Sequence, residues 1–120
     1  MTVIDYRHTD LNGADLHGVD LHDQDLRQAT MRGANLTNAD LHNANLSGAD
    51  LFGADLTGAN LRGAILRRTN LRGATLSDVD LTGADTAGAC CNLDTTLPFA
   101  GCIRDMVGGA ARIQPTGIDS

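Results

Sequence analysis

The chain has 120 residues, which suits one domain, and a formal net charge of −6 at pH 7. An acidic chain with two Phe, one Tyr and no Trp is a poor candidate for direct nucleic-acid binding, which relies on basic surface and aromatic stacking. No apolar run is long enough to span a membrane, and residues 1–5 lack the pattern of a signal peptide. We therefore expect a cytosolic protein without membrane contact, and the use of Arg without Lys hints at a GC-rich bacterial source.

Residues 4–83 divide into sixteen consecutive pentapeptides. The central position is Leu in fourteen of them, with Tyr6 and Met31 as the exceptions, and the position two before the centre is Ala in ten. A period of five matches neither an α-helix nor a regular strand. We interpret each pentapeptide as a short extended stretch followed by a corner, with the two apolar side chains pointing inward. Because one pentapeptide cannot bury its own Leu, successive turns of the chain must stack.

The repeats, of which Ala54-Asp55-Leu56-Thr57-Gly58 is an example, follow the pattern A(D/N)LxG. They resemble the repeats of the pentapeptide repeat family over about two thirds of the chain. The resemblance implies an all-β solenoid, a right-handed quadrilateral β-helix in which four pentapeptides make one coil. It therefore implies about four coils here.

The segment after the regular repeats predicts a different structure. We place the repeat domain at 1–92, a C-terminal segment at 93–113 and a flexible tail at 114–120. The apolar residues of the C-terminal segment recur at helical spacing, at Leu97, Ala100, Ile103, Val107 and Ala110. We predict a short α-helix that caps the open end of the solenoid. The alternative is a homodimer interface, since gyrase-inhibiting relatives in the resembled family pair through their C-terminal ends.

Three cysteines, Cys90, Cys91 and Cys102, lie outside the regular repeats. Their odd number, in a chain without an export signal, argues against a disulfide framework. Cys91 falls at an inward position and is interpreted as a small core residue. A bridge from Cys91 to Cys102 and a metal site stay open as alternatives, although the spacing is not the CxxC of a zinc site.

If four pentapeptides make a coil, residues twenty apart stack at about 4.8 Å and the surface divides into four faces. The first face is centred on Leu26, Leu46 and Leu66, the second on Met31, Leu51 and Leu71, the third on Leu36, Leu56 and Leu76, and the fourth on Leu41, Leu61 and Leu81. The third face carries Asp15, Asp55 and Asp78 without a basic residue. The fourth face carries Asp20, Asp23, Asp40 and Asp80 against Arg62. Two neighbouring faces are thus acidic, and the other two are nearly balanced.

The acidic faces suggest one function by resemblance. Family members that protect bacterial topoisomerases from drugs resemble B-DNA in size and charge, which implies a DNA-mimicking modulator of gyrase. The magnitudes weaken this reading. Four coils stand about 19 Å tall, and duplex DNA of that length carries about eleven charges. The repeats carry a net charge of −5, so the rod is short and under-charged for a DNA mimic.

Two outward positions hold apolar residues where the repeat usually has polar ones. Phe52 follows the central Leu51 and falls between Arg32 and Arg72 in the stack. We expect an Arg-Phe-Arg column, in which each exposed cation–π contact stabilises by about 0.5 to 1 kcal/mol. The alternative role for Phe52 is an anchor in a protein interface. Ile65 stands where Asp or Asn is usual, and we predict that Ile65 and Phe52 together form a small contact patch.

The fourth face also holds the candidate constellation for metal or acid–base chemistry. Residues 20–23 stack on residues 40–42, which places His22 and His42 about 4.8 Å apart beside carboxylates. Such a pair suits a divalent metal or proton transfer. Catalysis, however, needs a concave pocket that excludes water, and the outside of a prism is flat and wet. We therefore expect solvated histidines, and we predict no catalytic residue, no metal and no cofactor.

The sequence thus predicts a non-enzymatic protein-binding or scaffold module whose partner it does not identify. The second hypothesis is a DNA-mimicking modulator or inhibitor of a type II topoisomerase, with gyrase as the partner. The third is a small metal-binding protein, for which His22 and His42 are the weak candidates. We expect either a monomer or a homodimer that pairs through the C-terminal segment.

Overall fold

The computed structural model describes residues 5–92 and 94–96 with their side chains, and residues 103–107 and 110–114 as backbone. Every fifth residue from Asp5 to Asn70 forms a parallel bridge with the residue twenty positions further along. One coil therefore contains four pentapeptides, and the chain winds into a parallel β-helix of four coils with the start of a fifth. The last bridge joins Thr75 to Thr96, so the fifth coil contains one additional residue.

The corners of the coil are β-turns that recur in every pentapeptide. In the first of them the carbonyl of Tyr6 accepts a hydrogen bond from the amide of Thr9, at 3.1 Å. The residue two after each centre has a positive φ, between 58° and 73°, at every repeat from His8 to Gly88. A positive φ at this place is the mark of a type II turn. Gly dominates the position because it has no Cβ, and Asn and Asp tolerate the same conformation.

The Asp or Asn before each centre also has a structural task. Its Oδ1 accepts a hydrogen bond from the amide two residues on, as in Arg7 N to Asp5 at 2.9 Å and Thr57 N to Asp55 at 3.0 Å. The same bond forms at all Asp and Asn in this position from Asp5 to Asp85. These Asx turns prepare the corner that follows. The A(D/N)LxG pattern is thus a description of one turn.

The predicted inward positions are confirmed: the central residues from Leu21 to Leu81 are buried, and Tyr6, Leu11 and Leu16 of the first coil are partly buried against them. Leu26, Leu46 and Leu66 are stacked in one column and at most 1% exposed. Polar residues at the Ala position keep partners: Thr69 Oγ1 donates to the carbonyl of Leu46 at 2.8 Å, and Gln24 Nε2 donates to the carbonyl of His22 at 3.2 Å. A narrow core of stacked Leu and Ala leaves no room for rings, which accounts for the scarcity of aromatic residues.

The prediction of an α-helix within residues 93–113 is wrong for the parts that the structure describes. A three-stranded antiparallel sheet in the order β1-β3-β2 takes its place, with β1 at Cys90–Cys91, β2 at Ile103–Val107 and β3 at Ala110–Gln114. Val107 pairs with Ala110, so two residues, both Gly in the sequence, separate the strands. Gly-Gly between runs that contain β-branched residues is typical of a hairpin.

Strand β3 pairs with β1 through Cys90–Arg112 and Cys91–Ala111. The hairpin therefore continues the hydrogen bonding of the last coil. Gln114, placed in the tail by the sequence, belongs to β3. Leu97, Ala100, Cys102 and residues 115–120 lie outside the described residues, so the cap and the dimer interface stay predictions. Within the described part of the chain there is no helix with the length and apolarity to cross a membrane.

The stacked core leads to a testable difference between two neighbouring residues. Leu46 is fully buried, whereas Ser47 points outward and donates its hydroxyl to Asn45. We expect Leu46→Ala to lower the free energy of unfolding by about 2 to 5 kcal/mol, because the coils above and below hold the cavity open. Ser47→Ala should cost less than about 1 kcal/mol. Urea unfolding measures both, and equal losses would contradict the inward assignment.

Candidate binding surfaces

Phe52 lies on the second face and is 41% exposed, the one large hydrophobic side chain classed as exposed in the described part of the chain. The guanidinium carbon of Arg32 lies over its ring, 4.7 Å from the centroid. Asp50 holds both residues: its Oδ1 accepts from the Phe52 amide at 3.1 Å, and its Oδ2 lies 3.6 Å from Arg32 Nη1. The ring is thus presented to solvent on a supported backbone beside a positioned cation.

The other arginine of the predicted column makes a different contact. Arg72 is half-buried, and its Nη1 donates to Asn70 Oδ1 at 3.4 Å. The described cation–π contact of Phe52 is with Arg32. Arg32 therefore stacks on the Phe52 ring, whereas Arg72 is hydrogen-bonded to Asn70 in its own coil.

Ile65 is half-buried and lies on another column. It bridges Asn45 below and Asp85 above, at the first position of the first face. Phe52 directly follows the central Leu51 of the second face. The two residues therefore lie on neighbouring faces, and the contact patch that combines them stays a prediction. Asp50, which the sequence analysis did not select, is the residue that organises the site at Phe52.

The carboxylates of the third face are spaced by neutral residues. The bridges run from Asp15 to Asn35, from Asn35 to Asp55 and from Asp55 to Thr75, and Asn35 Nδ2 donates to Asp15 Oδ1 at 3.3 Å. His17 Nδ1 lies 2.7 Å from the same oxygen, and this hydrogen bond lowers the pKa of Asp15 and raises that of His17. Asp78 stands apart at a corner, with a φ of 59°.

At the upper end of the fourth face, too, neutral or basic groups lie next to the carboxylates. Asp80 accepts hydrogen bonds from the hydroxyl of Thr82 at 2.6 Å, its amide at 3.0 Å and Arg62 Nη1 at 3.1 Å. The Thr82 bonds, followed by the Arg62 bond, lower the pKa of Asp80 to about 2. Asn60 separates Asp80 from Asp40 and donates to Asp40 Oδ1 at 3.4 Å. Neutral groups or a cation therefore separate the carboxylates of the third face and of the upper fourth face, whereas Asp20 and Asp40 at the lower end of the fourth face are directly bridged.

His22 and His42 form a stacked pair at the lower end of the fourth face. Their ring centroids are 4.8 Å apart and the ring planes differ by 4°. Nδ1 of His22 bonds Asp20, and Nδ1 of His42 bonds Asp40 at 2.6 Å. Both rings are half-buried rather than freely solvated. At the adjacent corner Asp23 Oδ2 lies 3.9 Å from His22 Nε2.

Comparison with known proteins agrees with this geometry. The model of the family described as pentapeptide repeats matches residues 14–51 and 49–85, with eight copies. The chain belongs to the pentapeptide repeat family. No curated protein matches it.

Solved structures of the family resemble the chain. Rfr23 from the cyanobacterium Cyanothece 51142 is 41% identical over 73% of this chain and 60% of its own length, with a TM-score of 0.73. The protein alr5209 from Nostoc Pcc 7120 is 38% identical over 80% of this chain and 75% of its own, with a TM-score of 0.51. QnrB1, a plasmid-mediated fluoroquinolone resistance protein, is 19% identical over 74% of this chain and 60% of its own, with a TM-score of 0.38. A likeness as distant as that to QnrB1 transfers no function.

The low pKa of Asp80 predicts a contribution to acid stability. Because the folded pKa, about 2, is below the ordinary 3.8, the carboxylate stabilises the fold above about pH 4 and loses this effect as the pH falls towards 2. Asp80→Asn keeps an oxygen for the Asx turn but removes the charge. The variant should therefore lose less of its melting temperature between about pH 6 and pH 2.5 than the wild type does.

Asp55→Asn is the matched control, because Asp55 makes the same turn and the same bond to a Thr hydroxyl, and no arginine among the described residues forms an ion pair with it. We expect its melting profile to differ from that of the wild type by less than the Asp80→Asn profile does. Wild-type and Asp80→Asn profiles that coincide over this pH range would show that the Asp80 contacts add nothing to stability.

Proposed function

We propose that the protein is a non-enzymatic module that binds a protein partner through its second face, with Phe52 as the anchor. Proteins of this family are generally structural or binding modules rather than enzymes. The observation that carries the proposal is the exposed ring of Phe52, held by Asp50 and stacked by Arg32. Aromatic residues, Phe among them, and Arg are enriched in the cores of protein interfaces.

The support around Phe52 lowers the entropic cost of binding. The ring extends from a β-helix rung whose amide is already bonded to Asp50, so little backbone freedom is lost when a partner closes over it. Arg32 offers five N–H donors, of which the contact to Asp50 uses few. The matching partner surface is an apolar pocket bordered by carboxylate or carbonyl oxygens.

The distribution of charge favours this function over DNA mimicry. On the third face Asp15 and Asp55 are two rungs apart with Asn35 between them, a spacing of about 9.6 Å. A DNA strand carries one phosphate per about 3.4 Å of helix axis. On the fourth face Arg62 neutralises part of the charge of Asp80. The Asp residues that precede the centres are explained by the Asx turns, which need an oxygen acceptor and not a charge.

The proposal is tested by two substitutions at one position. Phe52→Thr installs a residue typical of the repeat and should preserve the coil, whereas Phe52→Tyr keeps the ring. Immobilised wild-type protein and both variants are used to capture partners from extract of the source cell, with quantification by mass spectrometry. We expect a partner that the wild type and Phe52→Tyr retain and that Phe52→Thr loses by more than about tenfold, since an anchor contributes more than about 1.4 kcal/mol.

A second set of variants measures the role of charge. Asparagine replaces the four carboxylates at Asp15, Asp20, Asp40 and Asp55. Each Asn retains the acceptor of the Asx turn, so only charge changes. We expect this set to leave capture of the partner nearly intact. Inhibition of gyrase supercoiling that Phe52→Thr retains and the asparagine set abolishes would overturn the proposal in favour of DNA mimicry.

A further inference from the structure

Residues that are bridged between successive coils rarely carry like charges. Most of the described bridges pair Asp with Asn, Thr or another neutral residue, and two of them pair Asp with Asp: Asp5 with Asp25 and Asp20 with Asp40. Like charges directly opposite one another in a sheet are destabilising. These two Asp–Asp pairs therefore need a group that offsets their repulsion.

Arginine side chains offset the negative charge of the Asp5–Asp25 pair. Arg7 Nη2 lies 2.8 Å from Asp5 and Arg27 Nη2 lies 2.7 Å from Asp25, with Arg7 Nε 3.8 Å from Asp25 as a cross-rung contact. Two permanent positive charges thus face two negative ones. The net charge of this group of four is zero.

The Asp20–Asp40 pair has imidazoles where the Asp5–Asp25 pair has guanidinium groups. Asp20 and Asp40 hold Nδ1 of His22 and His42 respectively. A neutral imidazole that donates from Nδ1 keeps a lone pair on Nε2, which is the form that binds metals. A carboxylate on the far nitrogen of a histidine is the usual support of a metal ligand, because it orients the ring and raises its basicity.

The two rings are oriented alike, since Nδ1 of each is hydrogen-bonded to the carboxylate two residues before it in the same coil. Their Nε2 atoms are therefore separated by about the 4.8 Å of the ring centroids. Two nitrogens bound at 2.0–2.1 Å to one tetrahedral ion are about 3.4 Å apart. Each Nε2 needs to move by about 0.7 Å, and the two parallel rings need to tilt towards each other, because an ion bound at Nε2 lies in the plane of the imidazole. Rotation about χ1 and χ2 of two surface side chains supplies both movements.

Oxygen donors lie on both sides of the pair. His22, Asp40 and His42 each offer one ligand atom within 4.8 Å of the others, with Asp40 on the Nδ1 side of His42. Asp23 lies 3.9 Å from His22 Nε2, on the side away from Asp20. Arg62 occupies the next position of the histidine column, but it turns to Asp80, 3.1 Å away.

We propose that His22 and His42 form a surface binding site for a divalent transition-metal ion of the Zn²⁺, Ni²⁺ and Cu²⁺ class. Nε2 of each histidine is a ligand and the Asp23 carboxylate is the third, while Asp20 and Asp40 orient the rings. The site is independent of the Phe52 surface, which lies on another face. Imidazole nitrogen with carboxylate oxygen is a donor set that these ions accept, with Cu²⁺ the tightest.

Copper alone is the probe, because its electron paramagnetic resonance spectrum counts the bound nitrogens. The full chain should bind one equivalent of Cu²⁺ with two imidazole nitrogens in the spectrum. His22→Ala and His42→Ala should each leave one nitrogen and weaken binding, measured by calorimetry, by more than about tenfold. Both side chains lie on the surface, so circular dichroism of the metal-free variants should match the wild type. If an alanine variant does not, His22→Gln replaces it.

His17 is the matched control. It pairs with Asp15 as the other two histidines pair with their carboxylates, but Thr37 occupies the position one coil above it. His17→Ala should bind Cu²⁺ as the wild type does. Combining Asn35→Asp with Thr37→His rebuilds the pair on the third face and should add a second equivalent.

Copper affinity that is unchanged in both His22→Ala and His42→Ala would overturn the proposal. So would an equal loss in His17→Ala, because it would show diffuse binding to any exposed histidine.

Discussion

The structure depends on one backbone conformation that recurs every five residues. A positive φ two residues after each centre reverses the chain direction at a fixed interval, and four such corners bring the chain back above its start. The hydrogen bonds between coils follow from this closure, as when Leu26 N donates to the carbonyl of Asn45 at 2.8 Å. The Leu columns follow as well, since closure places every fourth centre over its predecessor. Seven of the described corner residues are not Gly. Four of them are Asn or Asp, which tolerate a positive φ, and the other three, His8, Gln28 and Arg68, show that the stack imposes the conformation on residues that rarely adopt it.

The same constraint limits what the composition says about function. An oxygen acceptor before each centre is required by the turn, so Asp at that position is structural first and acidic second. The functional information is concentrated where a residue departs from the needs of the turn. Phe52 is such a departure, because the coil requires nothing apolar there. The histidine pair is another, because the turn is complete without an imidazole.

Much of the fold follows from the sequence because the repeat has a period. The inward assignment of Leu46 and the stacking of residues twenty apart needed only a pattern and the requirement of burial. The C-terminal hairpin did not follow. There the apolar residues Ile103, Val107 and Ala110 fit helical spacing by chance, although the Gly-Gly between β2 and β3 is typical of a hairpin. A short segment without a repeat offers too few positions to distinguish the two periods.

The candidate sites were predictable as columns but not as contacts. Counting by twenty placed His22 below His42 and Arg32 below Phe52, whereas the position of Ile65 relative to Phe52 depends on which edge of a face each occupies. The bridged pair Asp20–Asp40 shows why contacts matter. In the other Asp–Asp pair, Asp5 and Asp25 form ion pairs with two arginines, whose charge is permanent. The histidines at Asp20 and Asp40 are charged only when protonated, so this pair of carboxylates lacks a permanent positive charge. A dication between the two Nε2 atoms would balance both carboxylates at once.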